Sequence, residues 1–203
     1  MKKIFLVAII SLLALNTQAQ KSKKVTLGKA DNLIAEVIPN GKGKKMTLTV
    51  KGESGTEVID VKSVVDNNLN PKEFVMKSFS ANDTKLYLLT WKEQITTQTK
   101  LKKEVADITE SQIWNAETKT LLLGNTQKSV YIKETQFLDK NKTASHEVEK
   151  KRNEGFEFVM NADGSVILKT KTQSNPYQFN PTSGKYEPQK PIVKKSSTTK
   201  KKR

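Results

Sequence analysis

The chain carries one histidine, His146, and no cysteine. Those two facts remove most of what a histidine-based catalytic relay, a thiolate nucleophile or a His/Cys zinc site would need. His146 sits in the run Ser145-His-Glu-Val-Glu-Lys-Lys-Arg152 and reads as a solvated surface side chain. Three short runs imitate ligand loops without completing them. Gly41-Lys-Gly-Lys-Lys45 has the glycines and lysines of a phosphate loop but lacks the G-x-x-x-x-G-K-[ST] spacing, so a hairpin tip is the simpler reading. Asp139-Lys-Asn-Lys-Thr143 begins like a calcium loop, yet Ala144 stands where glycine is required and Lys150 where the bidentate glutamate belongs. Asn161-Ala-Asp-Gly164 brings its glycine too early for the same motif. No catalytic residue, metal ligand or cofactor is expected. Two carboxylates meeting from separate strands would serve glycoside hydrolysis, but no acidic pair stands out, and the inventory leans away from an enzyme.

Charge is the stronger signal. The net charge is +15, with 36 Lys and Arg against 21 Asp and Glu. After Gly184 come Lys185, Lys190, Lys194, Lys195, Lys200, Lys201, Lys202 and Arg203, opposed by Glu187 alone. Pro188 and Pro191 interrupt this stretch and it has no apolar periodicity. A segment of that composition buries too little apolar surface to fold by itself, so 185–203 reads as a disordered basic tail. Lys190, Lys194, Lys195, Lys200, Lys201, Lys202 and Arg203 are the candidate contacts to an anionic surface.

The identity of that surface depends on location. Lys2 and Lys3, the apolar run Ile4 to Leu15 and the small residue Ala19 form the three regions of a secretory signal peptide over 1–19. The apolar run is too short for a spanning helix, which needs about 20 such residues. Cleavage before Gln20 would leave a periplasmic or secreted protein with no later transmembrane helix. The expected partners are then envelope components: lipopolysaccharide phosphates, anionic lipid headgroups or acidic glycans. Nucleic acid is not expected.

The elements that would position such contacts are strands. Ile113-Trp114 and Leu121 to Leu123 flank the polar turn Asn115 to Lys119, which is a hairpin pattern. It recurs as Phe79 to Leu89 around Asn82-Asp83, as Val159 to Leu168 around Asp163-Gly164, and more faintly as Phe179 to Tyr186. Asp-Gly between apolar runs is a strong hairpin signal. Residues 33–50 read as a hairpin with a Gly/Lys tip, and strict alternation in 58–65 turns Ile59 and Val61 inward. Leu101, Val105 and Ile108 fall at i, i+4 and i+7, so the stretch 96–112 reads equally as a short helix near 100–112 or as a strand. Asp139 to Asn153 is open among solvated strand, loop and short helix. Trp91, Trp114, Tyr87, Tyr131, Phe156, Phe158 and Phe179 are expected in the core, with a ligand-binding face as the alternative.

The expected fold is all-β, with mainly antiparallel hairpins in a meander forming a sandwich or a barrel. The expected organisation is a signal at 1–19, a lead-in segment at 20–30, one β-rich domain at 31–184 and the basic tail. Three functional readings follow. The first is a non-enzymatic binding or structural envelope protein with a cationic tail. The second is a β-barrel carrier of a hydrophobic ligand, and the third a hydrolase built on two carboxylates.

Overall fold

The computed structural model describes residues 24–52, 55–65, 68–190 and 192–193. The expected signal peptide at 1–19 and the tail from Lys194 onward lie outside them. All regular structure among the described residues is strand, arranged in three antiparallel sheets. The first sheet is β1 (Val25–Ala30), β2 (Leu33–Asn40), β3 (Gly43–Gly52) and β4 (Gly55–Val64). The second is β5 (Lys72–Ala81), β6 (Thr84–Gln98), β7 (Lys102–Asn115), β8 (Thr120–Phe137) and β9 (Ser145–Glu154). The third is β10 (Glu157–Met160), β11 (Val166–Lys169), β12 (Gln173–Asn180) and β13 (Lys185–Pro188), with β14 (Ile192–Val193) paired to β12. β1 draws residues of the expected lead-in into the first sheet, and β13 draws Lys185 to Pro188 into the third.

The second sheet is the middle layer. In β6 the side chains alternate between two apolar faces, because successive residues of a strand point to opposite sides. Tyr87, Leu89 and Trp91 share a core with Leu33, Ala35, Met46 and Leu48 of the first sheet. Leu86 packs with Val166, Leu168, Phe179 and Tyr186 of the third. β7 does the same with Trp114 on one side and Ile113 on the other. A strand apolar on both faces must be covered on both, and the chain supplies one sheet before it and one after it. The result is a three-layered sandwich in which no sheet closes into a barrel.

Local chemistry explains the turns. Asn82 and Asp83 take φ of 46° and 60°, the left-handed pair of a tight hairpin turn, for which these residue types are suited. Gly164 lies at φ 79°, and a Cβ there would stand 2.8 Å from the Cβ of Ala81, so its lack of a side chain lets the β10–β11 turn lie on the middle sheet. The Tyr186 hydroxyl donates to the Gly164 carbonyl at 2.7 Å, and burial, with Asp163 nearby, pushes its pKa up to about 12. At Gly155, φ is 78° and a Cβ would meet the Thr126 carbonyl oxygen at 2.1 Å. That close crossing carries the chain from the edge strand β9 over β8 into the third sheet.

The stretch 102–115 is a strand along its whole length, paired with β6 on one side and β8 on the other. The helical reading near 100–112 is therefore corrected. Val105 and Ile108 project to opposite faces of β7, and Leu101 is in the turn before it. The apolar spacing coincided with a helical period by chance. Residues 145–154 form the solvated edge strand, and its dense charge suits an edge that must not recruit another strand.

One feature of the first sheet departs from strict alternation. Ile59 pairs with Leu48 and Lys62 with Met46, with the register shifting between them. This bulge turns Lys62 to the same inner side as Ile59. The Lys62 ammonium reaches Glu93 on β6 at 2.7 Å and Glu110 on β7 at 3.3 Å, and lies 5.9 Å from the centre of the Trp91 ring. Glu93 also accepts from the Trp91 indole at 2.6 Å, and Glu110 from the Thr126 hydroxyl at 2.8 Å. Burial alone would lower the Lys62 pKa, but hydrogen bonding and attraction from Glu93, with Glu110 added, hold it above the usual lysine value. Lys62 thus bridges the first sheet and the middle one at this end, as Lys85 with Asp31 at 2.8 Å and Lys119 with Glu57 at 2.7 Å do at the other.

Lys62→Met should leave two mostly buried carboxylates side by side without a cation, and cost about 1–3 kcal/mol of unfolding free energy. Lys62→Arg should recover most of it. Denaturant unfolding of the three proteins checks this, and an unchanged midpoint for Lys62→Met would mean that the ion cluster does not hold the layers.

Candidate functional site

The middle sheet outruns its covers. β6 is exposed from Gln94 to Gln98, and β9 is exposed along nearly its whole length. The small apolar cluster in this part, Ala106, Val130 and Ile132, consists of neighbours within one sheet. Between Glu110 and Lys102 alone, β7 runs roughly 27 Å at the ordinary strand rise. The four strands β6 to β9 therefore form a blade that projects from the sandwich.

Two turns meet at the far end of the blade. β6 runs out to Gln98 and β7 returns from Lys102. The Thr99 amide donates to the Lys102 carbonyl at 2.8 Å, and the Lys102 amide to the Thr99 hydroxyl at 3.1 Å, which closes a short turn carrying Lys100 and Leu101. β8 runs out to Phe137 and β9 returns from Ser145. The Thr135 amide donates to the Leu101 carbonyl at 2.7 Å, which fixes one turn beside the other. The second turn is organised by Asp139. Its carboxylate accepts from the Thr143 and Ala144 amides at 2.8 and 3.2 Å and from the Thr143 hydroxyl. The Leu138 amide donates to the Ala144 carbonyl at 3.0 Å across the base.

What the turns display is apolar and cationic together. Leu101 is 45% exposed, Phe137 38% and Leu138 67%, so three large apolar side chains face outward at one end of the molecule. Around them stand Lys100, Lys102, Lys103, Lys140 and Lys142, all exposed. Lys102 pairs with Glu104 at 2.5 Å. The other four make no ion pair with a described residue, and Lys142 lies 5.6 Å from the centre of the Phe137 ring. Glu134, opposite Lys102 in the ladder, is held by Lys150 at 2.6 Å, and Asp139 is engaged by its own loop. Hydrogen bonds from the Thr143 side chain and then from the backbone of Ala144 hold its pKa below the usual carboxylate value.

The residues that the sequence points to are scattered. His146 is exposed on the edge strand opposite Gln136. Gly41 and Lys42 form the tight turn between β2 and β3, and Asn161 to Gly164 the turn between β10 and β11. Among the aromatics, Tyr87, Trp91, Trp114 and Phe179 are buried, Phe156 and Phe158 pack against the second core, and Tyr131 is half-buried on the blade. Glu93 and Glu110 are brought together, but both are bound to Lys62. Of the tail contacts, Lys190 is exposed just after β13, while Lys194, Lys195, Lys200, Lys201, Lys202 and Arg203 lie outside the described residues. Sequence reasoning missed the blade tip. Its signal was apolar residues placed inside turns beside lysines, Thr99-Lys-Leu-Lys-Lys103 and Phe137-Leu-Asp-Lys-Asn-Lys142.

Comparison with protein-family models, with curated proteins and with solved structures found no match. The functional reading rests on these residues.

Because the Asp139 pKa is lowered on folding, its contribution is present above the unfolded carboxylate value near 3.9 and is lost as pH falls through the folded value. The Thr143 and Ala144 amides should be protected from hydrogen exchange at neutral pH and lose that protection only in acid beneath the ordinary carboxylate range, where the lowered group at last protonates. Asp139→Ala should abolish it at every pH. Unchanged protection in Asp139→Ala would remove the carboxylate as the organiser of the tip.

Proposed function

We propose that this protein is an exported, non-enzymatic binding protein that contacts anionic lipid surfaces through the tip of its blade. The observation that carries the reading is the joint display of Leu101, Phe137 and Leu138 within a group of lysines that lack acidic partners among the described residues. Soluble proteins rarely gather large apolar side chains at an exposed extremity unless something covers them. A bilayer surface matches both halves of this chemistry. The apolar side chains enter the boundary between headgroups and chains, while the lysine stems extend and leave the ammonium groups among phosphates. A Leu or Phe fully removed from water gains roughly 1.5–3 kcal/mol, and each lysine at an anionic surface about 1 kcal/mol. Three partly inserted side chains and four such lysines amount to reversible binding that salt weakens.

The remainder of the protein agrees with a scaffold role. The carboxylates of Glu93 and Glu110 are both bound to Lys62, which favours a structural use for them. The basic tail, Lys190 through Arg203, would add sequence-independent charge to the same kind of surface. Lipopolysaccharide phosphates offer the same headgroup chemistry as anionic phospholipids.

The test is partition of the protein onto vesicles of anionic or zwitterionic lipid at low and high salt. The expected result is preference for anionic vesicles, weakening with salt, and loss of at least tenfold in affinity for Leu101→Ser/Leu138→Ser with an unchanged melting temperature. Lys100→Gln/Lys103→Gln should lose affinity for anionic vesicles only. A chain ending after Val193 separates tail from tip. If that truncation abolishes binding and the leucine variant does not, the tail is the contact and the tip reading fails.

A further inference from the structure

A second site lies at the margin of the first sheet, where the first core runs out towards solvent. A cavity of about 590 Å³ opens between β1, the β2–β3 turn and the segment that leads into β5. Leu27, Val37, Leu69 and Pro71 give it an apolar lining, while Lys42 and Lys44 stand in its wall. Its size falls within the range of small-molecule sites, roughly 300–1,000 Å³.

The wall is built with little slack. Gly41 takes φ 61° in the turn, a conformation that costs an ordinary residue, and a Cβ on Gly43 would stand 2.0 Å from the Val64 carbonyl oxygen. The two glycines therefore let the hairpin tip bend sharply and lie directly on the end of β4. That placement sets Lys42 and Lys44 beside an apolar hollow. Lys45, the next residue, is engaged with Asp60 at 2.8 Å, whereas Lys42 and Lys44 make no ion pair with a described residue. The run Gly41-Lys-Gly-Lys-Lys45 resembles a phosphate loop in composition only, and its place in the fold gives those lysines a different use.

We infer that this cavity binds a single-chain amphipathic anion, with the acyl chain on Leu27, Val37, Leu69 and Pro71 and the anionic head against Lys42 and Lys44. The charge of the wall selects the sign of the head, and the apolar floor selects the chain. A neutral chain of equal length meets the same floor but leaves two cations without a partner. This site is distinct from the blade tip, and its ligand is a monomer rather than a surface.

The experiment uses the mature chain, without vesicles, and cis-parinaric acid as a fluorescent probe below its micellar concentration. Displacement is followed with dodecanoate, a monoacyl lysophosphatidate and dodecanol. Saturable probe binding is expected, with displacement by both anions and at least tenfold weaker displacement by dodecanol. The relative strength of the carboxylate and phosphate arms separates a free fatty acid from a lysolipid as the source of the chain. Lys42→Glu/Lys44→Glu, which changes exposed or half-exposed positions, should weaken dodecanoate tenfold or more. Leu27→Trp should fill the hollow and abolish binding. Leu101→Ser/Leu138→Ser should bind the probe as the parent does, which keeps this result separate from that of the tip. Absence of saturable binding overturns the proposal, and so does equal affinity in the charge-reversed variant.

Discussion

The two-sided apolar character of the middle sheet is the constraint from which the rest follows. Leu86, Leu88 and Ile113 face one way, and Tyr87, Leu89, Trp91 and Trp114 the other. An antiparallel sheet usually solvates one face. This one cannot do so over the half next to the Asn82-Asp83 and Ala116 to Lys119 turns, so it recruits a meander on each side. Beyond Glu93 and Glu110 the same strands carry fewer large apolar side chains, and those of β6 are exposed. What they still bury is the small in-sheet cluster of Ala106, Val130 and Ile132, and they continue without a covering layer. Layering at one end and projection at the other are two consequences of one change in composition along β6, β7 and β8.

The joins between layers are polar and specific. Lys62 ties the first sheet to the middle one through Glu93 and Glu110, and the Asn125 amide donates to the Phe156 carbonyl at 2.9 Å where the chain enters the third. Asn82 donates to the Phe179 carbonyl at 2.6 Å from the opposite end of that interface. Hydrophobic area gives the layers their affinity, but it is non-directional. These few bonds, together with the glycine crossing at 155, fix how the layers sit.

The hairpins were legible because turn chemistry is local. Asn82-Asp83, Asn115 with its side chain on the Glu117 and Thr118 amides, and Asp163-Gly164 each encode their bend within a few residues. The all-β class and the burial of most aromatics followed from the same signals. Other features depend on partners distant in sequence. Lys62 faces inward only because of a bulge, which alternation cannot anticipate. Leu101 and Leu138 come to the same end of the molecule only because the β7–β8 ladder brings the two turns together, so neither stretch announces a site by itself. At 96–112, an accidental helical spacing competed with a strand whose evidence lay in its neighbours. The cavity was hidden for a related reason: β1, the β2–β3 tip and the Leu69 to Pro71 segment are separated in the chain and share no motif.

On the proposed reading, the sandwich is the scaffold and the end of the blade makes the contact. Hydrogen–deuterium exchange of the protein with and without anionic vesicles tests that division most directly. The account predicts added protection confined to 99–103 and 136–144, with the turns at 82–83 and 116–119 unchanged. Protection centred on those opposite turns, or spread evenly over the three sheets, would contradict it.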